Sequence, residues 1–564
     1  MKRKMLALLL CTSMAVTMMG CAGDGSATEN TSADNTVETK NDTSGEKVKT
    51  DTESEGDQLI TEDITINIRA MNQYTNLDRI LDKYYELVAD DPNLSHVKLN
   101  FHYVTGSDYM DKLTTAIVAQ EDIDLLFVGS WQGRTDYVKD GVFKDVSAYF
   151  EDEENYPGLA TYFSDNILNA QKYEGGLYYI PLGAGEDLRG ICYREDLRKE
   201  YGCDEIKDEE TLKAYLETIQ SHIDDGSLDM NVAWGITEAQ GFMTFRNLMF
   251  EAPAHNIFIV NAGIDFYAYV DDNNKVVNAV VMGDDESQFA GFPEGYDYDF
   301  ITENFAELTD WMPYCNNAII EGDDYVDFTK GQCAATYHCI SELGTAINSL
   351  QQYEKDAEVG FYVFDEAQRN MEKGGIPSTL LANNSVAIPA WSSDEKTTAV
   401  MCFLDALYGR KDINNLFCFG VEGEDYTVSD DGLVQNALRT SEDPNYYFYP
   451  TYSLVYTPHE FSYYYDWAAK EEKLKAYFDY QSDMENSYVL TKDSGFSFNS
   501  SNVEIEKAAI SGVAENYKFN FGTYETKEAT YEKAAEQYEL LQAAGLETVR
   551  AEIISQMQAF FDAK

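Results

Sequence analysis

Between Ile64 and Val128 the hydropathy pattern switches repeatedly between two periods, and that alternation restricts the fold more than any other feature of the chain. Ile64-Thr-Ile-Asn-Ile-Arg69 alternates apolar and polar residues with period two, as a half-buried strand does. The polar turn Met71-Asn-Gln-Tyr-Thr-Asn76 follows, after which Ile80, Leu81, Tyr84 and Leu87 recur at helical spacing. Val97 to Tyr103 reads as a second strand, Tyr109 to Ala119 as a helix with Leu113, Ile117 and Val118 on one face, and Ile123 to Val128 as a third strand. A β-α-β-α-β order specifies parallel strands, because a parallel return needs a crossover. The fold class is therefore α/β. In such sheets ligands bind where strands end and loops begin. Trp131 stands at such an end, in the polar loop Gly129-Ser-Trp-Gln-Gly133.

Beyond this layer the pattern is less regular. Helices are expected around 210–220, 301–315, 336–353 and 394–409, and a hairpin across Phe266–Val270 and Val276–Val280. Its acidic turn, Asp271 to Lys275, lacks the alternating ligands and terminal Glu of a calcium loop and reads as ordinary turn chemistry. The C-terminal residues are helical: Tyr531, Ala534, Tyr538 and Leu541 form one stripe, Gly545 breaks it, and Val549, Ile553, Met557 and Phe560 continue it.

At the N-terminus, Met1-Lys-Arg-Lys4 is basic and Met5 to Met19 is apolar, too short to span a bilayer comfortably. Residues 1–20 read as a signal peptide. Met18-Met-Gly-Cys21 resembles a bacterial lipobox, with Met at two positions where Leu and a small residue are usual, which makes Cys21 the lipidation site. Ala22 to Gln58 is polar and has no aromatic residue, so it reads as a disordered tether. No later apolar run is long enough for a membrane helix, and the body is expected at the extracellular face of the cell membrane on a lipid anchor. Over the whole chain, 100 acidic residues against 41 basic give a net charge of −59. A nucleic-acid binder needs a cationic footprint, and this chain has none. Seven cysteines follow Cys21; their odd number and apolar settings suit small buried hydrophobes.

Catalytic signatures are absent from the sequence. There is no HExxH, GxSxG or P-loop, and Gly183-Ala-Gly185 matches a dinucleotide loop poorly. No cofactor and no metal site is expected. Paired carboxylates could hydrolyse glycosides, but with 100 acids their proximity carries little information.

Several spaced segments resemble extracellular solute-binding protein family 1, the receptors of ABC importers. They are Asp124-Leu-Leu-Phe-Val128 with Asp140 to Ser147, Gly175-Gly-Leu-Tyr-Tyr-Ile-Pro181, Cys192 to Gly202, Phe328-Thr-Lys-Gly-Gln-Cys-Ala334, and Asn384 to Pro389 followed by a helix. Phe419 to Tyr426 and Leu541 to Met557 are similar to the larger lipoprotein members from Gram-positive bacteria, which mostly serve oligosaccharide importers. The resemblance implies a two-lobed, periplasmic-binding-protein-like α/β fold with a hinge and an interlobe ligand cleft. Lobe one would hold 59–186 and 375–435, lobe two 187–374 and 436–564. It also implies a monomeric receptor that takes a carbohydrate to ABC transporter permease subunits. A non-sugar solute such as a peptide, or a surface glycoside hydrolase, are the alternatives.

A sugar presents C–H faces and a ring of hydroxyls, which aromatic faces and planar polar groups complement. The strand-end candidates are Gln73 and Tyr74 after strand one, and Trp131, Gln132 and Arg134 after strand three. Glu186, Asp187 and Arg189 stand near the lobe crossing, and Trp311, Tyr337 and His338 in lobe two. Trp234 and Trp391 have weaker placement.

Overall fold

The computed structural model describes residues 58–564 apart from 133, 174, 183–187, 236–246, 316–326, 341–342, 380–383, 429–433, 437, 440–442, 449–453, 455–471, 483–486 and 518–524. The expected signal peptide, the expected lipidation site Cys21 and the expected tether as far as residue 57 lie outside the described residues.

The expected alternation forms strand β1 (Ile64–Met71), helix α1 (Leu77–Leu87), β2 (Val97–Val104), α2 (Gly106–Ala119) and β3 (Leu125–Gly129). β1 pairs in parallel with β2 on one side and β3 on the other. The chain returns to this sheet with β4 (Ile180–Pro181) and β13 (Asn384–Ala387), giving the order β2-β1-β3-β13-β4 with β13 antiparallel. Asp124, only 1% exposed, locks the layer. Its carboxylate accepts from the Asn67 amide (2.8 Å), Ser392 Oγ (2.8 Å) and Lys396 Nζ (2.9 Å), joining β1 to the start of the helix Asp394–Gly409. In that helix Ser393 caps the N-terminus, and a run of buried residues from Ala399 to Leu404 packs on the sheet.

A second sheet has the order β11-β5-β10-β6, from β5 (Arg189–Arg194), β6 (Val232–Gly235), β10 (Cys333–Cys339) and β11 (Val359–Val363). The helix expected at 336–353 begins only at Leu343; Cys333–Cys339 is a strand paired on both edges. The run Cys-Ala-Ala-Thr-Tyr-His-Cys shows no period-two contrast because much of it is buried inside the sheet.

The expected hairpin is a three-stranded antiparallel sheet, β7 (Ile257–Asn261), β8 (Asp265–Val270) and β9 (Val276–Val280). Strand alternation splits its two faces between two cores. Ile257, Tyr267 and Val280 join the main core, whereas Phe258, Val260, Phe266, Ala268 and Val270 form a separate one with Val549, Ile553, Met557 and Phe561. The second core's helices are α3 (Glu504–Glu515), α4 (Lys527–Ala543) and α5 (Leu546–Asp562). Gly545 separates the last two at φ 101°, where a Cβ would meet Glu506 Cγ at 2.6 Å. A buried bidentate pair, Arg550 with Asp284, ties α5 to the end of β9.

In chain order between β11 and β13, β12 (Ile376–Ser378) follows Gly374 and Gly375 and pairs in parallel with the late strand Tyr488–Leu490. A Cβ on Gly375, at φ 145°, would meet Val489 Cγ2 at 2.9 Å and Ser487 O at 3.1 Å. The expected lobe-two assignment of everything beyond 436 needs one correction. Residues 443–448 sit on the first sheet's loop: Asn76 Nδ2 donates to the Pro444 and Tyr446 carbonyls, and the Phe448 amide donates to Thr75 Oγ1. The apolar faces of Tyr74 and Tyr103 need cover, and buried Tyr447 supplies it. None of the seven described cysteines forms a disulfide, and Cys192, Cys315, Cys333 and Cys402 are buried.

Candidate functional site

The strand ends of the first sheet converge on one edge. β1, β2 and β3 finish there at Met71, Val104 and Gly129, and antiparallel β13 starts there at Asn384. In the second sheet β6, β10 and β11 finish at Gly235, Cys339 and Val363, beside the start of β5 at Arg189. The expected contacts Glu186 and Asp187 fall outside the described residues. Trp131 lies in a 3₁₀ turn, Ser130–Gln132, and its side chain is outside the description.

On the second sheet the register places Cys339 opposite Arg189 and Tyr337 opposite Ile191. Arg189 and Tyr337 are therefore diagonal neighbours on one face, within reach of long side chains. Arg189 Nη1 donates to the Tyr337 hydroxyl at 2.8 Å. The Tyr337 ring lies nearly parallel to Phe364, with centroids 6.5 Å apart and planes 15° off. Both Arg189 and Tyr337 are half-buried. His338, also half-buried, sits opposite Gly190, where any Cβ would strike the Tyr362 carbonyl at 2.1 Å. Gln481 steadies this strand start: its Oε1 accepts from the Leu188 amide (2.6 Å) and the Tyr488 hydroxyl (2.8 Å). The guanidinium, phenol and stacked rings offer hydroxyl-pairing groups and a flat apolar face in one place. Phe364 and Gln481 were missed in the sequence. No local signal marks Gln481, whose partner Leu188 is 293 residues away.

Four expected ligand contacts are corrected by burial. Tyr74 is 1% exposed and packs against Phe101, Tyr103 and Tyr447, with ring centroids 5.4, 6.2 and 6.4 Å away. Burial holds its hydroxyl well above the usual tyrosine range. Gln132, 3% exposed, turns its Oε1 back to accept from the Gly129 amide at 2.9 Å, closing its own loop. Arg134 is 1% exposed; it donates to Ser385 Oγ (2.5 Å) and Gln171 Oε1 (3.0 Å) and lies 4.2 Å from the Tyr179 ring centre. It ties the helix Arg134–Lys139 to β13 instead of reaching solvent. Trp311, 5% exposed, packs edge-on against fully buried Trp234 at 5.3 Å. Trp391 donates from its indole to the Glu121 carbonyl at 2.8 Å. Gln73 is exposed at the end of β1. Loop polarity alone misled the reading of Gln132 and Arg134: their partners come from their own loop, from the distant strand β13 and from the end of the helix Asp165–Gln171.

Comparison with known proteins agrees with this frame. Residues 76–337 match the family described as bacterial extracellular solute-binding protein, and residues 493–562 match a domain of unknown function, DUF3502. The N-glycan transport solute-binding protein of Streptococcus pneumoniae, solved with Man1GlcNAc, has a TM-score of 0.61 at 17% identity, covering 88% of this chain and 99% of that one. The same protein with Man5GlcNAc gives 0.59 at 17% identity, over 89% and 99%. The alginate-binding protein AlgQ2 gives 0.52 at 11% identity, over 89% and 99%. A protein of Brucella abortus (strain 2308) named as a binding protein is 29% identical over 114 residues, or 20% of this chain. The chain spans about a quarter (25%) of that relative's length. Among the described residues no helix is long and apolar enough to cross a membrane. Residues 76–337 thus match the bacterial extracellular solute-binding protein family, and the chain as a whole has a two-lobed α/β fold similar to that of the periplasmic solute-binding proteins.

Proposed function

We propose that the chain is the receptor of an ABC importer, that its ligand is an oligosaccharide, and that it binds this ligand between its lobes without chemistry. The observation that carries the reading is the Arg189–Tyr337 hydrogen-bonded pair at the strand ends, with the Tyr337 ring stacked on Phe364. Arg supplies a planar fork of donors for adjacent hydroxyls, and the tyrosine ring supplies a flat face with a polar edge. Support comes from the fold shared with proteins whose names state N-glycan and alginate binding. In this reading Gln73, Trp131, Glu186, Asp187 and His338 complete the lining, and ligand stabilises the closed lobes as a hinge motion. Cys21 carries the lipid that holds the receptor at the outer face of the membrane, where it meets the permease subunits as a monomer.

A thermal-shift panel of oligosaccharides and peptides tests the proposal. A ligand at one hundred times its Kd adds about 2.7 kcal/mol of stability. Shifts with oligosaccharides and none with peptides support it; the reverse pattern refutes it. Mass spectrometry of the N-terminal peptide from membranes, with Cys21→Ser as the control, tests the anchor separately.

A further inference from the structure

We propose that the C-terminal unit, whose matched domain has no assigned function, is an interlobe brace that restrains lobe rotation through Lys139. The inference uses the two-lobed fold and does not depend on what the ligand is.

The unit is fixed to the second lobe. Its helices α3 to α5 bury Ile510, Leu541, Val549, Ile553 and Met557 against one face of the sheet β7-β8-β9, whose other face belongs to the main core. A strap, residues 491–498, runs from the late strand Tyr488–Leu490 to these helices, and it is held at several points. The Thr491 amide donates to the Ser378 carbonyl at 3.0 Å. Asp493, 3% exposed, accepts from Thr491 Oγ1 at 2.5 Å and from Thr379 Oγ1 at 3.5 Å. Lys564 Nζ donates to the carbonyls of Lys492 (2.8 Å) and Ser494 (3.2 Å). Phe496 packs edge-on against Phe560, with ring centroids 5.6 Å apart.

Lys139 of the first lobe docks on the tip of that strap. Its ammonium donates to the Phe498 carbonyl at 3.3 Å and to Ser497 Oγ at 3.4 Å, with Asp136 alongside at 3.5 Å. Only 18% of its side chain is exposed. Lys139 ends the helix that begins at Arg134, directly after the strand-end loop Gly129–Gln132, and Arg134 ties that helix to β13. A rigid acceptor on the second lobe thus holds the helix behind the ligand loop on the first. Rotation of one lobe against the other must stretch or release this contact, so the unit limits how far the lobes part in the absence of ligand.

The test uses the ligand-free full chain with spin labels introduced as non-natural residues at exposed Val118 on the first lobe and exposed Tyr353 on the second. Lys139→Met keeps the apolar stem and removes the charge-assisted donor. It is expected to broaden the interlobe distance distribution and to speed amide exchange across 134–139 by about three- to tenfold, the weight of one part-exposed charged hydrogen bond. Exchange in α5 stays at the parent value, and Lys139→Arg restores the parent distribution. A Lys139→Met protein whose distances and exchange superimpose on the parent's overturns the brace, whatever the outcome of any sugar titration.

Discussion

Replacing Arg550 by Met tests whether the C-terminal unit is fastened to the β7-β8-β9 sheet as described. Arg550 and Asp284 leave 4% and 0% of their side chains exposed. Arg550 Nη1 reaches Asp284 Oδ2 at 2.8 Å and the Ala279 carbonyl at 2.5 Å, and Nη2 reaches Asp284 Oδ1 at 2.7 Å. The same carboxylate accepts from the Val281 amide at 2.7 Å, so it cannot swing out to water without breaking the turn after β9. Methionine fills much of the arginine's apolar volume but leaves the carboxylate buried with no cation, facing only that amide and the Tyr538 hydroxyl. Removing one partner of a buried pair costs about 3–5 kcal/mol, because the remaining charge stays desolvated. Native-state hydrogen exchange reads this directly: amides of Val549 and Ile553 should exchange about a hundred- to several-thousandfold faster than in the parent. The double variant Arg550→Met with Asp284→Leu removes the stranded charge and should recover most of the loss. A single-variant effect below about 1 kcal/mol, or a double variant as damaged as the single, refutes the reasoning.

Three further outcomes are expected. Tyr337→Phe keeps the ring on Phe364 and deletes the hydroxyl that accepts from Arg189; calorimetric affinity for the oligosaccharide with the largest thermal shift should fall about three- to tenfold. An unchanged Kd would assign the pair to the frame. Burial pushes the Asp493 carboxyl up to about 6 against the Thr491 and Thr379 hydrogen bonds and the nearby Lys564 charge. Its folded pKa therefore lies above the unfolded value, so its contribution is full below about pH 4 and is lost as pH rises through about 6, a change of about 2–3 kcal/mol. Urea unfolding of Asp493→Asn across pH 4 to 7 should lack that part of the slope, and a slope equal to the parent's would reject it. Gly375→Ala forces a Cβ into Val489 and Ser487 at positive φ, and should lower the free energy of urea unfolding by more than about 1 kcal/mol; a neutral effect would contradict the tight packing there.

The first layer was legible because the β1 sequence alternates apolar and polar residues and α1 carries one apolar stripe, so period and element coincide. β10 was not legible: a strand with partners on both edges and buried faces shows no alternation to read. The edge on which the strand ends converge followed from element order and the family resemblance. Which side chains face that edge did not. Arg134 and Gln132 look solvent-directed in a polar loop, yet one is spent on Ser385 and Gln171 and the other on its own loop's amide. Tyr74 looked exposed because its cover, Tyr447, arrives hundreds of residues later. Conversely, Arg189 and Tyr337 were both named from sequence, but their union depends on the β5–β10 register, which no local pattern encodes.

Small-angle X-ray scattering with and without the oligosaccharide that gives the largest thermal shift tests the central claim most directly. A receptor that closes its lobes on a sugar should show a smaller radius of gyration at saturation, reversible on dilution, and no such change with peptides. An oligosaccharide panel that leaves both the scattering and the unfolding temperature unmoved, while a peptide contracts the protein, would contradict it.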